Sequence, residues 1–238
     1  MVFAVIMAGG SGSRMGNSET PKQFMILGTK PIIIHSIEKF YVNSKFEKII
    51  VMSPKTWVNH TRNMIEKNFG KTDRIVVVEG GSDRNKTLMN SLKYIEENYG
   101  LDDDKFVVTH DAVRPFVTHR IIEENIEFVQ KYGACDTVVG ATDTIVRSVD
   151  GDKITEIPKR PQMYQGQTPQ SFNAKKLKDI YESLSEDEKA VLTDACGIFV
   201  KKNEPVHLVN GEVFNIKITY PYDLKVAKAL LEETEGND

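Results

Sequence analysis

The opening of this chain does most to restrict its fold. A six-residue apolar run, Val2–Met7, leads directly into the segment AGGSGSRMG at 8–16. Six apolar residues without alternation suit a strand buried on both faces. Glycines behind such a strand allow a tight turn whose backbone N–H groups can face an anion without Cβ obstruction. The rest of the chain keeps to that plan. Short apolar runs alternate with segments whose apolar residues recur at helical spacing, the pattern of βαβ units on a mostly parallel sheet flanked by helices.

Residues 48–52, 74–78, 106–109 and 137–141 are expected as further strands. Pro31 opens a helix with Ile33, Ile37 and Phe40 on one face, 57–69 makes a second, and Leu88, Leu92 and Ile95 mark a third. Ile122, Ile126 and Val129 mark a fourth. The pattern breaks at 142–164, where Asp150-Gly151-Asp152 suits the turn of a polar hairpin with strands at 144–148 and 153–157. Such a hairpin projects from the sheet as an arm. Helices at 175–184, 186–193 and 222–231 and strands at 206–209 and 216–219 complete the expectation, a Rossmann-like α/β fold in a single domain over 1–238.

Spacing excludes the two commonest phosphate loops. A Walker A loop needs Lys after its last glycine, and Asn17 follows Gly16. A dinucleotide fingerprint fails at Met15, where its third glycine should stand, and the second strand ends in Met52-Ser53-Pro54 rather than an acidic residue that could hold a ribose. What the loop does carry is a cation, Arg14, with Lys22 following in PKQF. The net charge is 31 − 34 = −3, so a polyanionic substrate must be met by local cations, and neither nucleic acid nor an acidic membrane is implied.

Two further segments fall at expected strand ends, where ligands of open α/β sheets gather. HDAVRP at 110–115 offers Asp111, able to take Mg²⁺ or to pair with a cation, and Arg114, able to grip a phosphate. GGSDRNKT at 80–87 offers backbone amides and hydroxyls for a nucleobase edge, with Ser82 as a candidate helix N-cap. The five histidines form no triad, and Cys135 and Cys196 lack metal or redox spacing, which suits reduced thiols in a cytosolic protein. No apolar stretch approaches the roughly 20 residues a membrane span needs.

Together these segments, with DT in the arm, QTPQSF, TDA and NIKIT, resemble the cytidylyltransferases that activate polyol phosphates. The resemblance covers nearly the whole chain and implies a fold of the nucleotide-diphospho-sugar transferase type. It implies that Ala8, Gly9, Gly10, Gly81, Ser82 and Thr87 hold the cytidine of CTP. Arg14, Lys22 and Lys217 would grip the phosphates, while Asp111, Arg114, Thr144, Thr168 and a neighbouring subunit's Arg160 would surround the polyol phosphate. It also implies Mg²⁺ and a homodimer built through the arms. Two branches are similar, one using 2-C-methyl-D-erythritol 4-phosphate and one using ribitol 5-phosphate. Val113 and the run MYQGQTPQ at 163–170 favour the ribitol branch, while Val146 departs from the basic residue often found in the arm of the other. A dehydrogenase and a non-catalytic nucleotide sensor are the competing classes. The first lacks its fingerprint, and the second has no use for three phosphate-gripping cations.

Overall fold

In the computed structural model, which describes residues 1–10 and 20–235, β1 (Val2–Met7) is an interior strand of a seven-stranded sheet. Its neighbours are β4 (Phe46–Ser53) and β6 (Phe106–Asp111), both parallel to it, and β5 (Ile75–Glu79) continues the parallel set beyond β4. On the other side follow β8 (Tyr164–Asn173), β7 (Ala134–Gly140) and β9 (His207–Asn210). β8 runs antiparallel to both β6 and β7, whereas β9 is parallel to β7, so β8 is the one reversed strand of this sheet. A second, two-stranded sheet joins β2 (Ile26–Leu27) to β3 (Lys30–Pro31).

The unbroken apolar run of β1 is explained by what covers it. Ala4 and Ile6 face a cluster built with α1 (Ile32–Tyr41), α2 (Val58–Phe69) and α4 (His119–Tyr132), including Ile37, Phe40, Ile65 and Ile122. Phe3 and Val5 point the opposite way, into a cluster with α3 (Arg84–Tyr99), α5 (Ala174–Glu182) and α7 (Cys196–Lys201), including Leu92, Leu177 and Phe199. Alternate side chains of one strand thus feed two cores, as a sheet covered on both faces requires. α6 (Glu186–Ala190), opened by a Ser185–Glu188 capping box, and α8 (Pro221–Glu235) complete the α-helices among the described residues.

The sequence expectation differs from this structure in several places, the short β2–β3 sheet among them. The segment 164–173, rich in Gln, Thr and Ser, shows no strand periodicity, yet it forms the longest strand, β8. From Gln167 to Ser171 its polar side chains are buried and find partners: Gln170 Nε2 donates to Asp136 Oδ1 at 3.1 Å, and Ser171 donates to Asn125 Oδ1 at 2.8 Å. Conversely, 216–219 has a strand-like composition but joins no ladder. The helix expected at 186–193 stops at Ala190, and α7 was not anticipated. In the arm, the two expected strands reduce to one antiparallel bridge between Arg147 and Glu156. Both cysteines are buried and free. No helix among the described residues is long and apolar enough to cross a membrane.

Candidate active site

The carboxyl ends of β1 and β6 and the start of α3 open onto a cleft of about 420 Å³. Its first wall is the chain leaving β1. Ala8 N donates to Met52 O at 3.1 Å, so the turn leaves the sheet from a fixed point. Gln23, buried in the 3₁₀ turn of PKQF, then donates its Nε2 to both Ala8 O, at 2.7 Å, and Gly10 O, at 3.2 Å. Ala8, Gly9 and Gly10 line the cleft, and Lys22 lines it beside them. Arg14 lies outside the described residues.

The second wall is the turn between β5 and α3. Gly80 N donates to Ser53 O at 2.8 Å. Thr87 turns its hydroxyl back on the same turn, accepting from Gly81 N at 3.0 Å and donating to Asp83 O at 2.7 Å. Asp83, rather than Ser82, is the N-cap: its carboxylate accepts from Lys86 N at 2.8 Å. Ser82 is thereby left at the cleft, with its hydroxyl on Asp83 Oδ2 at 3.1 Å. Ser82 and Thr87 line the cleft, whereas Gly81 supports the turn behind them.

At the floor stands Asp111, the last residue of β6. Arg84 Nη1 is 2.7 Å from its Oδ1, and Lys217 Nζ is 2.9 Å from its Oδ2. Arg114 Nε lies 3.6 Å from the same Oδ2. Burial alone would raise the Asp111 carboxyl, but the charges of Arg84, Lys217 and Arg114 outweigh it and hold the group well below the usual carboxylate range. Three cations around one carboxylate leave local positive charge in excess, an arrangement suited to receiving a polyanion. Arg84 opens α3 in the GGSDR motif. No spacing argument had given it a role, and only its position one residue past the cap could have flagged it.

Two residues expected to meet substrate also hold the frame. Arg114 is buried and donates from Nη1 to Asn215 O at 2.7 Å. Thr168, also buried, accepts from Asp111 N at 3.1 Å, and its hydroxyl lies 3.0 Å from His110 Nδ1. Because His110 Nε2 sits 3.0 Å from the carbonyl oxygen of Arg114, it must donate there, so Nδ1 accepts from Thr168. Burial lowers His110 to about 4, and the ring is a neutral strut. Thr144 and Arg160 are exposed in the arm and do not line the cleft of their own chain; Arg160 Nη1 donates to Thr142 O at 3.2 Å.

The donor set does not fit a protein-held metal at Asp111. Both its oxygens are already paired with cations, and no group of three His, Cys, Asp or Glu among the described residues could hold an ion.

The sequence profile of the family described as "IspD: 2-C-methyl-D-erythritol 4-phosphate cytidylyltransferase" matches residues 2–233. Among solved structures, 4-diphosphocytidyl-2C-methyl-D-erythritol synthase from Anaerococcus prevotii is 28% identical with a TM-score of 0.80. That match covers 97% of this chain and 96% of the other. The Francisella tularensis 2-C-methyl-D-erythritol 4-phosphate cytidylyltransferase is 26% identical with a TM-score of 0.78, over 96% and 99% of the two chains. The bifunctional IspDF of Campylobacter jejuni is 25% identical with a TM-score of 0.73; the match takes in 94% of this chain and 53% of that one. A profile match over nearly the full length, on a sheet and cleft of this form, places the protein in the IspD family of CTP-using cytidylyltransferases.

Proposed function

We propose that the cleft transfers a cytidylyl group from CTP to a polyol phosphate, with 2-C-methyl-D-erythritol 4-phosphate as the acceptor. The observation that carries this reading is the meeting of Arg84 and Lys217 on Asp111 in a cleft that Lys22 also lines. The acceptor follows the family description and the printed names of the similar structures. Ribitol 5-phosphate is the second reading, favoured by Val113 and the run at 163–170. Against giving Val113 much weight, its side chain packs into the apolar cluster of Leu27, Ile32 and Ile218.

The chemistry is the same for either acceptor. An oxygen of the acceptor phosphate attacks the α-phosphorus of CTP in line, the new O–P bond forms, and the bond to the β-phosphate breaks to release pyrophosphate. A phosphate monoester has its second pKa near 6, so the nucleophile is already mostly a dianion at neutral pH and no general base is needed. That suits a site whose one buried histidine is neutral and has both nitrogens occupied. The obstacle is repulsion between two polyanions. Unit charges 4 Å apart interact by about 4 kcal/mol at an effective dielectric of 20. In this reading Lys22 and Lys217 offset that repulsion, joined by Arg14 from the glycine-rich loop, while the turns at 8–10 and 81–87 hold the nucleoside. Mg²⁺, when bound, would offset charge on the triphosphate, and none of these residue roles depends on a protein ligand for it.

Thr144 and Arg160 serve a neighbouring subunit's cleft in this reading, which makes the protein a homodimer through the arm. Val149, Ile154 and Ile157 are exposed there, giving it an apolar surface to cover. A pyrophosphate-release panel tests the reaction, crossing CTP, UTP, ATP and GTP with 2-C-methyl-D-erythritol 4-phosphate, ribitol 5-phosphate and glycerol 3-phosphate. CTP with 2-C-methyl-D-erythritol 4-phosphate should dominate. Dominance of ribitol 5-phosphate would select the second reading, and no release with any pair would overturn both. Sedimentation of the chain with and without 142–163 tests the dimer.

A further inference from the structure

Lys217 stands on a segment that no sheet ladder holds, so something else must fix it. Upstream, Asn215 is wholly buried, and its side-chain Nδ2 donates to Thr168 O at 3.0 Å and to Gln167 Oε1 at 3.1 Å. Its main-chain carbonyl accepts from Arg114 Nη1 at 2.7 Å. Downstream, Ile218 is buried and donates its N–H to Val113 O at 2.9 Å. Lys217 is therefore slung between two fixed points, and its ammonium reaches Asp111 across the cleft floor.

We propose that Asn215 is a positioning residue that sets Lys217 against the reacting phosphate, by tying the Lys217 segment to β8 and to Arg114. The proposal rests on the reading that Lys217 grips the α-phosphate. A lysine has a flexible four-carbon stem and three rotatable donors, so its reach is defined only as well as its backbone is. The two Asn215 donors both meet carbonyl oxygens, which fixes the amide orientation. An aspartate there would put a carboxylate against those oxygens, and a leucine would leave them unpaired. The Asn215 Oδ1 has no hydrogen-bond partner among the described residues. An amide that leaves its own oxygen unpaired in the interior is present for its donors. A purely apolar filler would serve the packing as well.

The test is a double-mutant cycle on pyrophosphate release, using CTP and whichever of the two acceptors turns over. It compares the parent, Asn215→Leu, Lys217→Ala and the double variant, with melting temperatures measured alongside. Asn215→Leu should lower kcat about tenfold or more while the KM for CTP stays within about threefold. In the Lys217→Ala background the same substitution should change kcat by less than about twofold, because the group it positions is gone. Losses that multiply across the cycle would overturn the proposal while leaving the role of Lys217 intact. A Lys217→Ala variant within about threefold of the parent would overturn that role, and the proposal with it. Should Asn215→Leu fail to fold, Gln167→Met removes one acceptor of the same amide and enters the same cycle with the same expectation.

Discussion

Arg84 Nη1 and Asp111 Oδ1 lie 2.7 Å apart, joining the first residue of α3 to the last residue of β6. The contact does more than neutralise a buried acid. Arg84 Nη2 also reaches toward Gln170 Oε1, at 3.5 Å, so one guanidinium spans the gap between the start of α3 and β8. Asp111 in turn orients Lys217 through its other oxygen. The carboxylate therefore works as a hub that spaces cations which would otherwise repel one another.

Arg84→Ala should break that hub. Lys217 and Arg114 would then share Asp111 without the charge that holds its first oxygen, and turnover is expected to fall roughly tenfold to a hundredfold. Arg84→Lys should recover only part of the loss, because one ammonium cannot span both Asp111 and Gln170 as a planar fork does. Steady-state pyrophosphate release by the two variants checks this. Full rescue by lysine would reduce Arg84 to a point charge.

Lys22→Ala addresses the opposite wall. Lys22 is nearly buried yet lines the cleft, in a turn fixed by Gln23. In the proposed reading Lys22 stabilises charge on the transferring phosphorus, so its removal should lower turnover at least about a hundredfold, by comparison with a lost oxyanion donor at about 2.7–4 kcal/mol. The melting temperature should change little. Turnover within about threefold of the parent would remove Lys22 from the phosphate-binding set.

Apart from the short β2–β3 pair, the order of strands and helices through β7 could be read from the chain because each apolar run there is covered on both faces or on one. Burial of that kind writes itself into composition, as Ile49–Ile50–Val51 and the spacing of Leu88, Leu92 and Ile95 illustrate. β8 could not be read that way, since Gln167, Thr168, Gln170 and Ser171 are buried by hydrogen bonding rather than by apolarity. The same distinction governs the site. Lys217 and Asp111 are visible as charged residues in motifs, but their 2.9 Å contact is made by a segment with no ladder, which periodicity cannot detect. Arg114 and Thr168 show the reverse side of this: residue types suited to a phosphate also hold Asn215, His110 and the Asp111 main chain, contacts that motif spacing does not announce.

Gly81→Ala tests the proposal that the turn between β5 and α3 holds the nucleoside. A Cβ at this position would stand 2.5 Å from Lys86 Cβ and 2.7 Å from Thr87 N, closer than such atoms approach. The obstruction is helix backbone as well as side chain, so the turn itself must move and the Thr87 hydroxyl must lose its grip on Gly81 N. The KM for CTP is expected to rise about tenfold or more, with a smaller effect on kcat if the phosphate-binding cations stay in place. An unchanged KM would show that the turn does not carry the nucleoside.

Asp136 yields a prediction whose sign depends on pH. Burial, aided by the nearby charge of Asp194 and opposed by the Gln170 hydrogen bond, pushes its carboxyl up to about 6, from the 3.8 it has when exposed. Between those values the folded chain binds more protons than the unfolded one, so this group's contribution to stability falls as pH climbs from 3.8 to 6. Above 6 the cost of ionising it at this half-buried position remains. Asp136→Asn keeps an oxygen that can accept from Gln170 Nε2, now at 3.1 Å from Asp136 Oδ1, and carries no charge. The variant should therefore be more stable than the parent at pH 8, by roughly 2 kcal/mol, which is a rise of about 5 °C in melting temperature for a chain of this size. At pH 4 the advantage should shrink toward zero, because the parent's carboxyl is then protonated when folded. His110 also titrates near 4, with the opposite sign, but it is common to both proteins and cancels in the difference. Thermal unfolding of the pair at pH 4 and pH 8 reads this directly. A gap of equal size at both values would mean that packing, rather than the buried charge, separates the two side chains.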